Sequence, residues 1–511
     1  LKTANISNFI NSCLLAGLVG LGFSCNDEDP MPIVDNPMGE MGTAPEVSFT
    51  ALTNDNRIAR FEARQLNSPM DIMPITGLES GEMILSIDYR PATGQLYALG
   101  SSSRLYIINE NNGMATPLGE TSFSPAIEGE NASLDFNPTV DRIRLVTASA
   151  QNLRLHPELG TVVATDGMIS GGSNPMIGAV AYTNSMAGTN STVLYDIDFS
   201  SNKLFIQNPP NDGGLEEVGD LGIDFMGIGN FDINPDNSSA LAVTLAEGVS
   251  NLYTIDLTTG KATWVGVFSL PVKGIAFKTN PVAFAACKSN KLFRFDPTNP
   301  VMNEVSFTGL MEGEHVIGLD FRPANGALYG ITTQSRIITI NTANGQTMPV
   351  ADPLDPMLEG ESFGFDFNPT VDRIRLVSST GQNLRLHPDL GTVVAVDGSL
   401  NPGMPMVNGA AYTNNVASAT STLLYVIDSE TNMLYTQDPP NDGVLVPVGS
   451  LGVDFTGDNG FDIGGMSNMA YALLDVGGMT GVYSINLSSG AASKIADFNV
   501  PATAMALGLG F

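Results

Sequence analysis

The sequence predicts an all-β protein of two tandem five-bladed β-propellers, with one ten-bladed ring as the alternative. Three observations predict it. The twelve residues DFNPTVDRIRLV at 135–146 recur at 366–377, and the two halves align almost throughout after residue 45. Within each half a shorter unit of roughly 45 residues reads as four short strands, the content of a propeller blade. The composition, with 54 Gly and 31 Pro and few long amphipathic runs, calls for many strands joined by turns rather than for helices.

The chain opens LKTANISNFINSCLLAGLVGLGFSC, one Lys followed by an apolar stretch too short to span a bilayer. Residues 1–25 resemble a bacterial lipoprotein signal peptide, with Cys25 as the acylated residue, although Gly22 and Phe23 fit the usual motif only loosely. Residues 26–45 are acidic and Pro-rich with no period that buries a face, and are expected to form a disordered tether. Asp27, Glu28 and Asp29 directly behind Cys25 resemble an export tag for the outer cell surface. The expected location is therefore the outer membrane, exposed at the surface; a periplasm-facing lipoprotein is the alternative. Contact with the membrane is expected through this lipid only.

The first repeat is placed at 46–279 and the second at 280–511. The clearest blade is SIDYRPATGQLYALGSSSRLYIINENNGMATPLG, with a Pro-Ala-Thr-Gly turn after its first strand and an Asn-Gly turn before its fourth. Aligned first strands in the first half are SIDYRP, SLDFNP, AVAYTN, NFDINP and GIAFKT; in the second they are GLDFRP, GFDFNP, AAAYTN, GFDIGG and GLGF. The segments after residue 46 supply strands two to four of a blade without a first strand. VKGIAF at 272–277 and AMALGLGF at the C-terminus are the strands available to complete each ring, and closure removes exposed sheet edges. Either architecture uses these strands to complete a blade.

A net charge of −31 and a pI near 4.2 exclude nucleic acid as a partner, because phosphate recognition needs a basic footprint. Of three cysteines two lie in the N-terminal segment, leaving Cys287 as a small core residue. The ordered motifs DFNPTVDRIRLV, QNLRLHP, AYTN and PPNDG resemble the bacterial family of domain of unknown function 4394, present as two copies. The resemblance implies no activity, since that family has none assigned.

At the third position of the aligned first strands stand Asp88, Asp135, Ala181, Asp232 and Ala276, then Asp320, Asp366, Ala411, Asp462 and Gly510. First strands line a propeller's channel, so three carboxylates per ring are expected to converge. Such groups serve as acid and base, hold Ca²⁺, or simply accept backbone N–H groups. In RIRLV, Arg142 and Arg144 share one strand face, and Asn152, Arg154 and His156 form a second polar row; Arg373, Arg375, Asn383, Arg385 and His387 repeat them. These arginines read either as a buried network paired with Asp135, Asp141 and neighbouring acids, or as a site for an anion or sugar carboxylate. PPNDG at 209–213 and 439–443 reads as a turn between outer strands, with a recognition loop as the alternative. No metal or nucleotide motif stands out, so no cofactor is expected unless the carboxylates take Ca²⁺.

The expected function is that of a non-catalytic binding or scaffold module for an extracellular protein or glycan. An extracellular glycan-active enzyme using the channel carboxylates is the alternative.

Overall fold

In each unit a run of fully buried residues is followed by progressively more exposed ones, which is the pattern of a blade standing edge-on to a central axis. The computed structural model describes residues 41–456 and 459–511 and folds them into ten four-stranded antiparallel sheets, with one short 3-10 turn at Pro440–Asp442. In one blade the innermost strand Ile84–Tyr89 is almost wholly buried, Leu96–Gly100 is wholly so, and the outermost strand Ala115–Pro117 reaches solvent. The signal-peptide and acylation assignments, including Cys25, lie outside the described residues.

Two rings close, each on itself. Strand Val272–Ala276 pairs with Ser48–Thr53 and packs between the innermost strands Ile84–Tyr89 and Ile228–Ile233. Strand Ala502–Leu507 likewise pairs with Ala283–Cys287 and packs between Val316–Phe321 and Gly460–Ile463. Five blades therefore surround each channel, and the ten-bladed alternative is excluded. Aromatic clusters weld neighbouring blades. At the first closure Phe49, Phe61, Phe268 and Phe277 are all buried in mutual ring contact, each worth roughly 1.5–3 kcal/mol of transfer free energy.

Two details differ from expectation. The closing strand of the second ring ends at Leu507, so Ala506, opposite Phe284, is the counterpart of Ala276, and Gly510 lies beyond the strand. The extra residues fold back: Gly508 N–H donates to Val282 O, and Gly510 N–H reaches Thr93 O in the first ring at 2.8 Å. At the other end, Met41 and Gly42, assigned to the tether, are already docked, because Gly42 N–H donates to Trp264 O and Met41 bridges Trp264 in parallel.

The rings meet where turns after inner strands of the first ring touch the turn at Gly326, the turn after Ile337–Ile340 and the outer strand Asn299–Ser306 of the second. Arg90 Nη1 donates to Gly326 O at 2.9 Å, Thr342 Oγ1 donates to Asp141 Oδ2 at 2.9 Å, and Asn303 Nδ2 donates to Gly188 O. Gly326 has a φ of 69°, and a Cβ there would sit 2.6 Å from Gln95 Oε1, so glycine eases this approach.

Candidate functional site

The inner strands bring each aspartate trio together as alignment predicts. One carboxylate oxygen from each of Asp88, Asp135 and Asp232 lies within 4.8 Å of the other two, as does one from each of Asp320, Asp366 and Asp462. The two blades without an aspartate carry Ala181 and Ala276, both fully buried, and small side chains there leave room for the crowding. Every member is tied to backbone. Asp88 accepts Tyr89 N–H on one oxygen and Phe136 N–H of the next blade on the other; Asp232 does the same with Ile233 and Phe277. Asp135 accepts Tyr182 N–H, again one blade onward. The second ring repeats the pattern, with Phe321 and Phe367 on Asp320, Tyr412 on Asp366, and Ile463 and Leu507 on Asp462. The trios thus stitch successive inner strands around each channel.

Burial and mutual repulsion decide their charge. Desolvation, then the neighbouring carboxylates, pushes Asp88 and Asp135 well above the ordinary range, and desolvation lifts Asp232 to about 7; Asp320 and Asp366 follow the first pair and Asp462 also reaches about 7. Burial and crowding thus favour the protonated form of these carboxyls. Three carboxylates are also the oxygen ligands that Ca²⁺ takes, but that ion needs six to eight oxygens, and here much of the acceptor capacity already serves N–H groups.

The arginines separate into two groups. Arg144 is buried and donates to Asn152 Oδ1 at 2.6 Å, Asp166 Oδ2 at 2.7 Å and Asn211 Oδ1 at 2.8 Å. Arg154, directly opposite on the next strand, bonds the same Asp166 through Nε and Nη2. Arg375, Arg385, Asn383, Asp397 and Asn441 reproduce the arrangement. The expected pairing with Asp135 and Asp141 does not occur. Asp135 serves the backbone, and Asp141 is taken by Arg90, a fully buried arginine that also bonds Glu158.

Arg142 and His156 belong to this second group, beside Arg90. Arg142 Nη1 donates to Asp141 O, as Arg373 does to Asp372 O. His156 Nδ1 accepts Glu158 N–H, and desolvation with the nearby arginines lowers its pKa to about 4, so it is neutral; His387 Nδ1 accepts Asp389 N–H in the same way. The predicted site residues therefore form separate clusters in each ring, and none brings arginines to the aspartate trio.

PPNDG is a turn between the third and fourth strands, as expected, and it is also a clasp. Asn211 takes Arg144 of the preceding blade, and Pro210 O accepts Asn152 Nδ2 at 3.0 Å. Sequence reasoning missed Asp166, Asp397, Arg90 and Arg322, the second ring's counterpart of Arg90, which bonds Asp372 and Asp389. The signal for the first two is their fixed place in QNLRLHPELGTVVATDG and its repeat.

Two regions, 57–276 and 291–508, match the family described as Domain of unknown function (DUF4394). The chain belongs to this family. It carries the domain twice, one copy per ring. No curated protein matches the chain. Among solved structures it is similar to the one titled "Structure of Dos1 propeller", at 10% identity over 66% of this chain and 92% of that one, with a TM-score of 0.25.

Proposed function

We propose that this two-copy DUF4394 protein is a non-catalytic binding or scaffold module, held at the outer cell surface by a lipid on Cys25 and presenting its rings to an extracellular protein or glycan. The observation that supports the non-catalytic reading is the state of the channel carboxylates. They crowd within 4.8 Å, are buried, and spend their oxygens on backbone N–H groups. Glycoside hydrolysis by a carboxylate pair needs a separation of about 5–10 Å across space open to a sugar ring. The acidic surface suits a soluble display platform, since it repels anionic neighbours.

The reading is tested on the purified chain with extracellular polysaccharides. Retardation in affinity electrophoresis without release of reducing ends is the expected result, and hydrolysis that disappears in Asp135→Asn overturns it. Cys25→Ser is expected to move the protein from the membrane to the soluble fraction. Protease added to intact cells separates surface display from a periplasm-facing anchor.

A further inference from the structure

Among the described residues Arg294 is a buried cation without a counter-ion, and the chain contains its own control. In the first ring Arg60 occupies the corresponding place in its blade: it stands opposite Asp71 and bonds it through Nε and Nη2. In the second ring the residue opposite Arg294 is Asn303. The acid of the pair has been replaced by a neutral amide while the arginine has become less accessible, 6% exposed. Its Nη1 donates to two neutral carbonyls, Thr342 O and Ala343 O, both at 3.2 Å. Nε has no hydrogen-bond partner, and among the described residues no carboxylate offsets the charge of the guanidinium. Burial alone acts on its pKa, lowering it. Leaving such a charge uncompensated is costly, and the composition makes it conspicuous, with 53 acids against 22 basic residues.

Arg294 lines a cleft of about 490 Å³ between the rings, within the range of small-molecule sites. Thr189 and Asn190 from the first ring and Asn299 and Asn303 from the second supply polar groups, while Phe295 and Val301 supply apolar wall. Gly188 closes over the arginine. With φ at 82°, it approaches so nearly that a Cβ would lie 2.9 Å from Arg294 Nε, and its carbonyl accepts Asn303 Nδ2. Asp296 also lines the cleft, but its Oδ1 is taken by the N–H and hydroxyl of Thr298.

We propose that this inter-ring cleft binds a sugar acid, whose carboxylate supplies the counter-ion that Arg294 lacks and whose hydroxyls meet the surrounding amides. One guanidinium matches a monoanion by charge-assisted hydrogen bonding; a doubly charged phosphate would call for further cations. Amide side chains beside an apolar wall suit a ligand with hydroxyl edges and C–H faces. The site is distinct from the channel carboxylates and holds whether or not the protein acts as a scaffold.

Calorimetry on the intact chain with galacturonate, galactose and inorganic phosphate tests it. Galacturonate is expected to bind saturably; galactose about tenfold more weakly or worse, through the loss of one charge-assisted contact, and phosphate likewise, because it lacks the hydroxyl edges and C–H faces that meet the amides and the apolar wall. Arg294→Gln and Asn303→Asp should each abolish galacturonate binding, while Arg60→Gln leaves it unchanged. Asn303→Asp installs the acid found opposite Arg60, so it fills the vacancy from within and decides the matter even if Arg294→Gln fails to fold. No saturable galacturonate binding, equal binding of galactose or phosphate, or full affinity in Asn303→Asp would overturn the proposal.

Discussion

Arg144 and Arg154 stand directly opposite one another on adjacent strands, and a single carboxylate, Asp166, bonds both. Two like charges in register would ordinarily weaken a sheet. Here the acid between them, together with Asn152 and Asn211, turns repulsion into a brace that joins two blades.

The brace predicts large losses when one partner goes. Arg144→Met leaves Asp166 with only the partly exposed Arg154, and Asp166→Asn leaves Arg144 buried without an anion. Each should cost about 3–5 kcal/mol in denaturant unfolding, and Arg375→Met and Asp397→Asn should do the same in the second ring. Near-native stability in Arg144→Met and Arg375→Met would refute a structural role for these arginines.

Asp196 offers the opposite test. It is fully buried, neither oxygen has a hydrogen-bond partner, and desolvation raises its pKa well above the ordinary range with Arg144 only partly offsetting this. The second ring has Val426 at the matching position of LYVID, and Arg375 there keeps all its partners. Asp196→Val should therefore stabilise the protein, by about 1–3 kcal/mol, the cost of an unsatisfied buried group. A lower melting temperature would show that this carboxyl does something the second ring has lost.

Asp232 and Asp462 make stability depend on pH in a definite direction. Their folded pKa of about 7 lies above the ordinary 3.8, so between these values the unfolded chain releases protons that the folded chain keeps. Their contribution is complete below pH 3.8 and is lost as pH rises towards 7. Asp232→Asn and Asp462→Asn lack this loss, so their deficit in melting temperature against the native chain should shrink from pH 4.5 to pH 8. A deficit that stays constant across that range would mean that the trio titrates as ordinary exposed acids.

Separate closure predicts that residues 46–278 fold alone. They contain every strand of the first ring, including Val272–Ala276. Expressed as a fragment they should unfold in one cooperative transition, with Arg90 somewhat destabilised because Gly326 no longer caps it. A fragment without a cooperative melt would show that the second ring is needed as a template.

The blades were legible because each inner strand carries a dense apolar run followed by Pro, Asn or Gly, and because a missing first strand at residue 46 leaves a vacancy that only a distant segment fills. The trio was legible through its fixed position in those strands. Partners of the arginines were not, because proximity in sequence is a poor guide across a blade. Asp166 lies 22 residues after Arg144, beyond two further strands, and Asn211 lies 67 residues on in the next blade. Arg294 was overlooked for a different reason: what distinguishes it is an acid absent from position 303, visible only once the strands are paired.

The closing strands also set a timetable. A ribosome delivers Ser48–Thr53 early, yet the neighbour that covers its edge, Val272–Ala276, emerges only after nearly the whole half has been made. From that moment the first ring is sealed and can serve as a finished surface while the rest of the chain is still being made. The second ring waits for Ala502–Leu507, which follows every other strand of its ring, so a nick near residue 500 would undo a ring whose other strands are intact, whereas the same lesion just after residue 278 would spare the first ring.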